Sequence, residues 1–344
     1  MKKTNALMDE TLIPASSTLE LSSLTVFRRE LTDLIGVSTV RQLHRQQRWK
    51  DGALLFALLS SFVGSFVLIG ALDLSAPFLL AIVLTQGWLI TALGLHAHDF
   101  YIHRSTWPSP VGPLLATISF TPALRPCAMY RVSHLKHHLK LLTNEDTEAS
   151  LVRVNTRARR MLFMSGIGFF LAKAGKWLPP GERTEQDLLL SDATAMELRR
   201  DSIEKRIILG FLLVMLLITV LDWKVGVFGY WLPILIVAPS LSNLRIILEH
   251  SHVDIENPYW IATPYKTGWF SKVIFVADSG DCHFAHHVFP GVPWYNIPKL
   301  VRLSEPFLIS KNIRIEHSFF PLLRGWFVEN YPVRTKWPLH KKCP

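Results

Sequence analysis

Ala53-Leu-Leu-Phe-Ala-Leu-Leu-Ser-Ser-Phe-Val-Gly-Ser-Phe-Val-Leu-Ile-Gly-Ala-Leu72 is twenty residues without a charge, and after Asp73-Leu-Ser75 the stretch Ala76–Leu95 is twenty more. Twenty helical residues rise about 30 Å, the thickness of a bilayer's hydrocarbon core. Two further runs follow, Ile207–Leu221 with fifteen residues and Val225–Ser242 with eighteen, separated by Asp222-Trp-Lys224. The third run is short alone, but Arg206 and Asp222 at its ends can snorkel or cap. Nothing amphipathic interrupts the runs, which favours spans over buried core helices of a soluble protein. Composition agrees: 49% of the 344 residues are hydrophobic and 19% charged, against about 25% charged in soluble chains. The expected fold is an all-α integral membrane protein. It has four transmembrane helices at about 53–72, 76–97, 206–222 and 225–243, with a cytosolic helical cap.

Charge sets the expected orientation. With four spans, the links Asp73–Ser75 and Asp222–Lys224 lie on one side, and Lys224 is then the only one of 37 Lys and Arg residues there. Basic residues stay in the cytoplasm. The N-terminus, residues 96–205 and the tail from Asn243 are therefore expected to be cytoplasmic. The net charge of +10 is explained by this rule and by contact with anionic lipid. No nucleic-acid partner is implied. The first run begins 52 residues in, unlike a cleaved signal peptide, and Cys127, Cys282 and Cys343 make no disulfide framework.

Three parts are expected: a cytosolic segment 1–50 with a helical piece around Phe27–Lys50, a membrane domain 51–305, and a cytosolic tail 306–344. Residues 106–127 are Pro-rich and read as a short helix at the membrane surface, as does the twelve-residue apolar stretch Met161–Ala172.

Eleven of fourteen histidines fall in two windows, 96–138 and 250–287. They form His98-Asp-Phe-Tyr-Ile-His103, His134-Leu-Lys-His137-His138 and His283-Phe-Ala-His286-His287, with His250 and His252 after the fourth run. Neutral imidazole binds iron, copper, zinc and nickel. On a helix the first and last histidines of H-x-x-H-H share a face one turn apart, so each triplet can serve a metal and offer a nitrogen to a second. His98 and His103, five apart, are about 140° around an ideal helix and converge only if the helix ends or unwinds between them. The groups follow the second and fourth runs, so one cytosolic site can gather them. His44, His317 and His340 read as ordinary surface or hydrogen-bonded residues, and His96 and His252 stay undecided between ligand and neighbour.

The three boxes together resemble the integral membrane fatty acid desaturase superfamily, which includes desaturases, hydroxylases, alkane monooxygenases and carotenoid ketolases. Tyr130-Arg131 before the second box, Thr143-Asn-Glu-Asp-Thr-Glu148 after it, and Arg245-Ile-Ile-Leu-Glu249-His250 before the third resemble that family's surroundings. So does His286-His-Val-Phe-Pro-Gly-Val-Pro-Trp-Tyr-Asn-Ile-Pro298, which is similar to the fatty acyl branch. The resemblance implies nine ligands: His98, His103, His134, His137, His138, His250, His283, His286 and His287. It prefers His98 to His96 because Asp99 follows it, and His250 to His252 because it follows Glu249. Asp99 and Glu249 are implied partners of the ligands, with Arg245 within ion-pair reach of Glu249; a helix-cap or ion-pair role for these groups stays open.

The resemblance further implies two iron ions, O2 as co-substrate, and a fatty acyl lipid that gains a cis double bond with release of water. Hydroxylation or ketolation of a lipid or carotenoid by the same core is the alternative, and a metal transporter is the alternative of another class. No dinucleotide fingerprint or fused haem domain is present. An external electron donor such as ferredoxin or cytochrome b5 with its reductase is implied, in a bacterial inner membrane by preference and with the endoplasmic reticulum open.

Overall fold

The apolar runs fold as helices. The computed structural model describes residues 23–141, 146–147, 161–162, 193–250, 259, 261–266, 279–320 and 323–324, without the side chains of 23, 247, 250 and 279–282. Met161–Ala172 therefore lies almost wholly outside the described residues. The N-terminal piece is α1 (Ser23–Ile35) and α2 (Val37–Leu43), ahead of α3 (Arg48–Ala71) and α4 (Ala76–Ala97). The expected single helix around Phe27–Lys50 is broken at Gly36, whose φ of 85° suits glycine alone.

Among the described residues, three helical stretches are long and apolar enough to cross a membrane: Val37–Ala71, Ala76–Ile102 and Trp223–Ile246. The run Ile207–Leu221 is the second half of α7 (Ala195–Leu221). The first half of α7 carries Arg199, Arg200, Asp201, Glu204, Lys205 and Arg206. Fifteen apolar residues rise only about 22 Å, so length and composition support three spans directly. Leu209, Leu213, Leu217 and Val220 on α7 are nevertheless exposed, as are Phe56, Val63 and Val67 on α3. Exposed apolar surface on this scale marks an interface with lipid or protein. The two short links sit together, with Lys224 Nζ 3.7 Å from Asp73 Oδ1. Asp222 caps α8 (Trp223–Gly226), its Oδ1 accepting from Lys224 N at 2.9 Å and Val225 N at 3.3 Å.

From α8 the chain passes through two π turns, Val227–Trp231 and Pro233–Val237, into α9 (Ala238–His250). Proline causes the irregularity. An α-helix would bond the Gly229 carbonyl to the N–H of residue 233, and Pro233 has none. Gln86 of α4 supplies the donor instead: its Nε2 lies 3.1 Å from Gly229 O and 3.1 Å from Phe62 O of α3. One buried amide thus ties three helices. Next to it, a Cβ on Gly87 would meet Val237 Cβ at 2.3 Å, so glycine is required for this close approach.

Residues 106–127 hold the expected short helix, with Val111, Leu114 and Ile118 exposed, and it begins a helical hairpin whose other face packs on the bundle. α5 (Val111–Phe120) leads through a 3₁₀ turn, Thr121–Ala123, and Leu124 at φ 53°, into α6 (Cys127–Leu139). At its tip Tyr230 Oη donates to Pro122 O at 3.1 Å. Glu204 of α7 holds both arms. Its Oε2 accepts from Ala128 N at 2.8 Å and its Oε1 from Thr117 Oγ1 at 2.9 Å. A carboxylate there meets the positive end of the α6 dipole, and Arg200 Nε balances it at 2.9 Å.

Two apolar cores result. One joins α3, α4, α5 and the Trp223–Ile246 stretch around Phe62, Leu93, Phe120 and Tyr230. The other joins α1, α2, α10 (Ser279–Val288) and α11 (Ile297–Ser310) around Phe27, Leu31, Phe284 and Leu300. No strand occurs among the described residues; one parallel bridge pairs Tyr265 with Glu316.

Candidate metal centre

The first histidine pair converges by a route that spacing alone did not select. α4 ends at Ala97 and the helix loosens into a π turn, His98–Ile102, which is the unwinding that convergence required. A π turn closes its hydrogen-bonded ring from residue i to i+5, so residues five apart stack where an α-helix would separate them. The His98 and His103 rings lie 5.2 Å apart. α6 and α10 are regular and bring their first and last box histidines to one face. His134 Nε2 and His138 Nε2 are 3.0 Å apart, and His283 Nε2 and His287 Nε2 are 2.8 Å apart.

Two groups assemble from these elements. His98, His103, His134 and His286 present ring nitrogens all within 4.8 Å of one another, and His137, His283 and His287 do the same. His138 stands between them, its ring 4.4 Å from both His103 and His287. The groups interlock: His286 and His287 are neighbours on α10 yet serve different groups, as do His134 and His137 on α6. A pair of ions shared between boxes fits this arrangement better than one ion per box.

The donor chemistry fits a transition metal. His134, His137, His138, His283, His286 and His287 are buried. His103 is partly exposed at its edge, but its Nε2 is enclosed and without a hydrogen-bond partner, as is His138 Nδ1. Burial holds both imidazoles well below their ordinary range. The neighbouring rings push the same way, His286 and His134 on His103, and His287 and His134 on His138. Eight imidazoles pointed at one another in a largely buried interior are a natural cradle for cations.

Carboxylates stand behind the group of three. His137 Nδ1–H donates to Asp146 Oδ1 at 2.7 Å with both side chains buried, which turns Nε2 toward the centre. Thr147 anchors the same segment, donating to Ser133 O at 2.8 Å. Glu249 Oε2 is 3.4 Å from His283 Nδ1 and 3.5 Å from Arg245 Nε, so it meets a box histidine and an arginine together. Asp99 Oδ1 is 3.9 Å from His98 Nδ1, too long for a hydrogen bond. The sequence shows the acidic stretch 143–148 but does not assign Asp146 to His137; the signal is the stretch itself, since a separation of nine positions fixes no geometry.

His96 points elsewhere: its Nε2 is 2.9 Å from the Asp51 backbone carbonyl, and its ring packs on Phe100. The side chain of His250 and all of His252 lie outside the described residues, as does His340. His44 is satisfied by Val40 O at 2.8 Å, and His317 is exposed. Tyr130, just before the second box, packs its ring 5.4 Å from His134 under the Arg125 guanidinium.

The family model described as fatty acid desaturase matches residues 96–319, which takes in every element of this centre except α1 to α3 and most of α4. No curated protein matches the chain.

Proposed function

Since this chain belongs to the fatty acid desaturase family, we propose that it is a membrane oxidoreductase that uses O2 and two external electrons to introduce a cis double bond into a fatty acyl chain. The observation that carries the reading is the pair of interlocked, buried histidine groups at one end of span-length apolar helices.

His98, His103, His134 and His286 would hold one iron. His137, His283 and His287 would hold the other, with His138 between them and His250 added by the family pattern. Bound there, the irons supply the O2 activation that no side chain can offer to an unactivated C–H bond. The chain's own residues do the rest. Burial keeps the imidazoles neutral and available as ligands. Asp146 and Glu249 orient His137 and His283. The enclosed site excludes water from a reactive centre.

The orientation follows from the short links. Lys224 is their sole cation, so the linked end faces away from the cytoplasm and the histidines face it. Completing the pair of hairpins makes α7 the fourth span, its charged first half standing in the cytoplasmic interface. A net charge of +10 suits an acidic carrier such as ferredoxin or cytochrome b5 with its reductase.

The test is lipid profiling of an expressing host against the His137→Ala variant. Acyl chains lacking two hydrogens, absent with the variant, support desaturation. Gain of one oxygen per chain moves the assignment to hydroxylation. An unchanged profile, with zinc and no iron bound, removes the oxidase reading.

A further inference from the structure

The helix carrying the third histidine box cannot close its own C-terminus. α10 ends at Val288, and an α-helix leaves its last four carbonyls without intrahelical partners. The following sequence is Phe289-Pro-Gly-Val-Pro293. Phe289 N returns to Ala285 O at 2.9 Å. Pro290 has no N–H for the His286 carbonyl. Val292 N, which could have reached Val288 O, bonds Phe289 O at 3.0 Å instead. Donors for the last two carbonyls come from α1. Arg28 Nε lies 2.5 Å from Val288 O, and Arg28 Nη2 lies 3.3 Å from His287 O. A guanidinium at this end also opposes the negative pole of the helix dipole. Phe27 seats the same helix, fully buried with its ring 5.4 Å from Phe284 and 4.9 Å from Phe307. Glu30 accepts from Tyr259 Oη at 2.8 Å and pairs with Lys311 Nζ at 2.6 Å. All of α1 precedes the matched residues 96–319.

We propose that Arg28 is a positioning residue of the metal centre, fixing His286 and His287 by capping their helix from a segment outside the family's core. The inference rests on the metal reading given above. It acts through the backbone: a frayed last turn would swing the His287 ring from the group of three and the His286 ring from the group of four.

The experiment uses the full chain in detergent with Arg28→Ala, Arg28→Lys and, on the exposed face of the same helix, Arg29→Ala. Co2+ affinity and ligand-field absorption are measured beside hydrogen exchange of residues 283–289 in the metal-free protein. Arg28→Ala is expected to weaken Co2+ binding about 10-fold or more, the usual effect of losing a ligand's supporting partner, to change the absorption band, and to speed exchange. Arg28→Lys recovers part of each effect and Arg29→Ala none. Unchanged affinity and exchange in Arg28→Ala overturn the inference. If Arg28→Ala does not fold, Arg28→Lys decides, and wild-type behaviour there overturns it. Failure of the wild-type chain to bind Co2+ removes the metal reading instead, and the exchange rates still judge the cap.

Discussion

Asp146 and His96 show how single side chains divide the work around the histidines. Both touch the second and first boxes' surroundings, and only one touches a box ring that faces the centre. The buried bond from His137 to Asp146 at 2.7 Å fixes which ring nitrogen is presented. Asp146→Asn keeps an acceptor of the same shape but lowers the basicity passed to the ring. Metal affinity is expected to fall about 10- to 100-fold, read by chelator competition, while the melting temperature of the metal-free protein stays close to wild type. His96→Gln is expected to leave metal stoichiometry unchanged, because His96 serves the Asp51 carbonyl. Loss of an equivalent of metal in that variant would return His96 to the ligand set. At this scale the sequence was informative wherever chemistry is tied to residue type. The boxes pointed to metal chemistry, and Glu249 was expected beside an unspecified ligand or Arg245; it lies beside both His283 and Arg245. Asp146 was hidden because its partner is chosen by the path of a loop, which residue identities do not encode.

Among the described residues the helices widen into π turns at two places, and each has a local use. The π turn at His98–Ile102 turns a five-residue spacing into a shared face. The π turns around Pro233 release a carbonyl for Gln86. Gln86→Leu should therefore destabilise the bundle by about 1–3 kcal/mol, the cost of leaving a buried carbonyl unpaired, measured by unfolding in detergent. In a Pro233→Ala background the N–H of residue 233 can reach Gly229 O, so the same substitution should cost less. The double-mutant difference is the check, and additive costs would show that the proline is not the reason Gln86 is there. Hydropathy located these helices because their apolar length is written residue by residue. The π turns were not legible, since His-Asp-Phe-Tyr-Ile is compatible with ordinary helix and the Gln86–Gly229 contact spans 143 positions. In the 106–127 segment the short apolar helix was legible, whereas its hydrogen bond with Tyr230, 108 positions away, was not.

For the whole molecule, the packed imidazoles make the metal-free state sensitive to acid. Unfolded histidine takes up a proton near pH 6.5, whereas burial and neighbouring rings hold His103 and His138 neutral in the fold until the pH is lower. Protons are then bound preferentially by the unfolded chain, so stability falls as the pH drops through about 6.5 and is level above about 7. Melting temperatures of the metal-free protein from pH 8 to pH 5 check this. A flat profile would mean the rings are hydrated, and Gln at both positions should shrink the slope. Bound metal requires the same neutral rings, so loading should steepen loss at the acid end.

Arg28 finds its main partner 260 residues further along the chain, and this sets an order of events during biosynthesis. When the first helix leaves the ribosome, nothing it grips has been made. The first two histidine boxes are then made with each proposed cradle incomplete, because α10 supplies His286 to the group of four and His283 and His287 to the group of three. On the proposed metal reading, neither cradle can close until the third box has been translated through Val288. Metal capture would then be a late, nearly post-translational step, and a nascent chain stalled before the third box is expected to be metal-free.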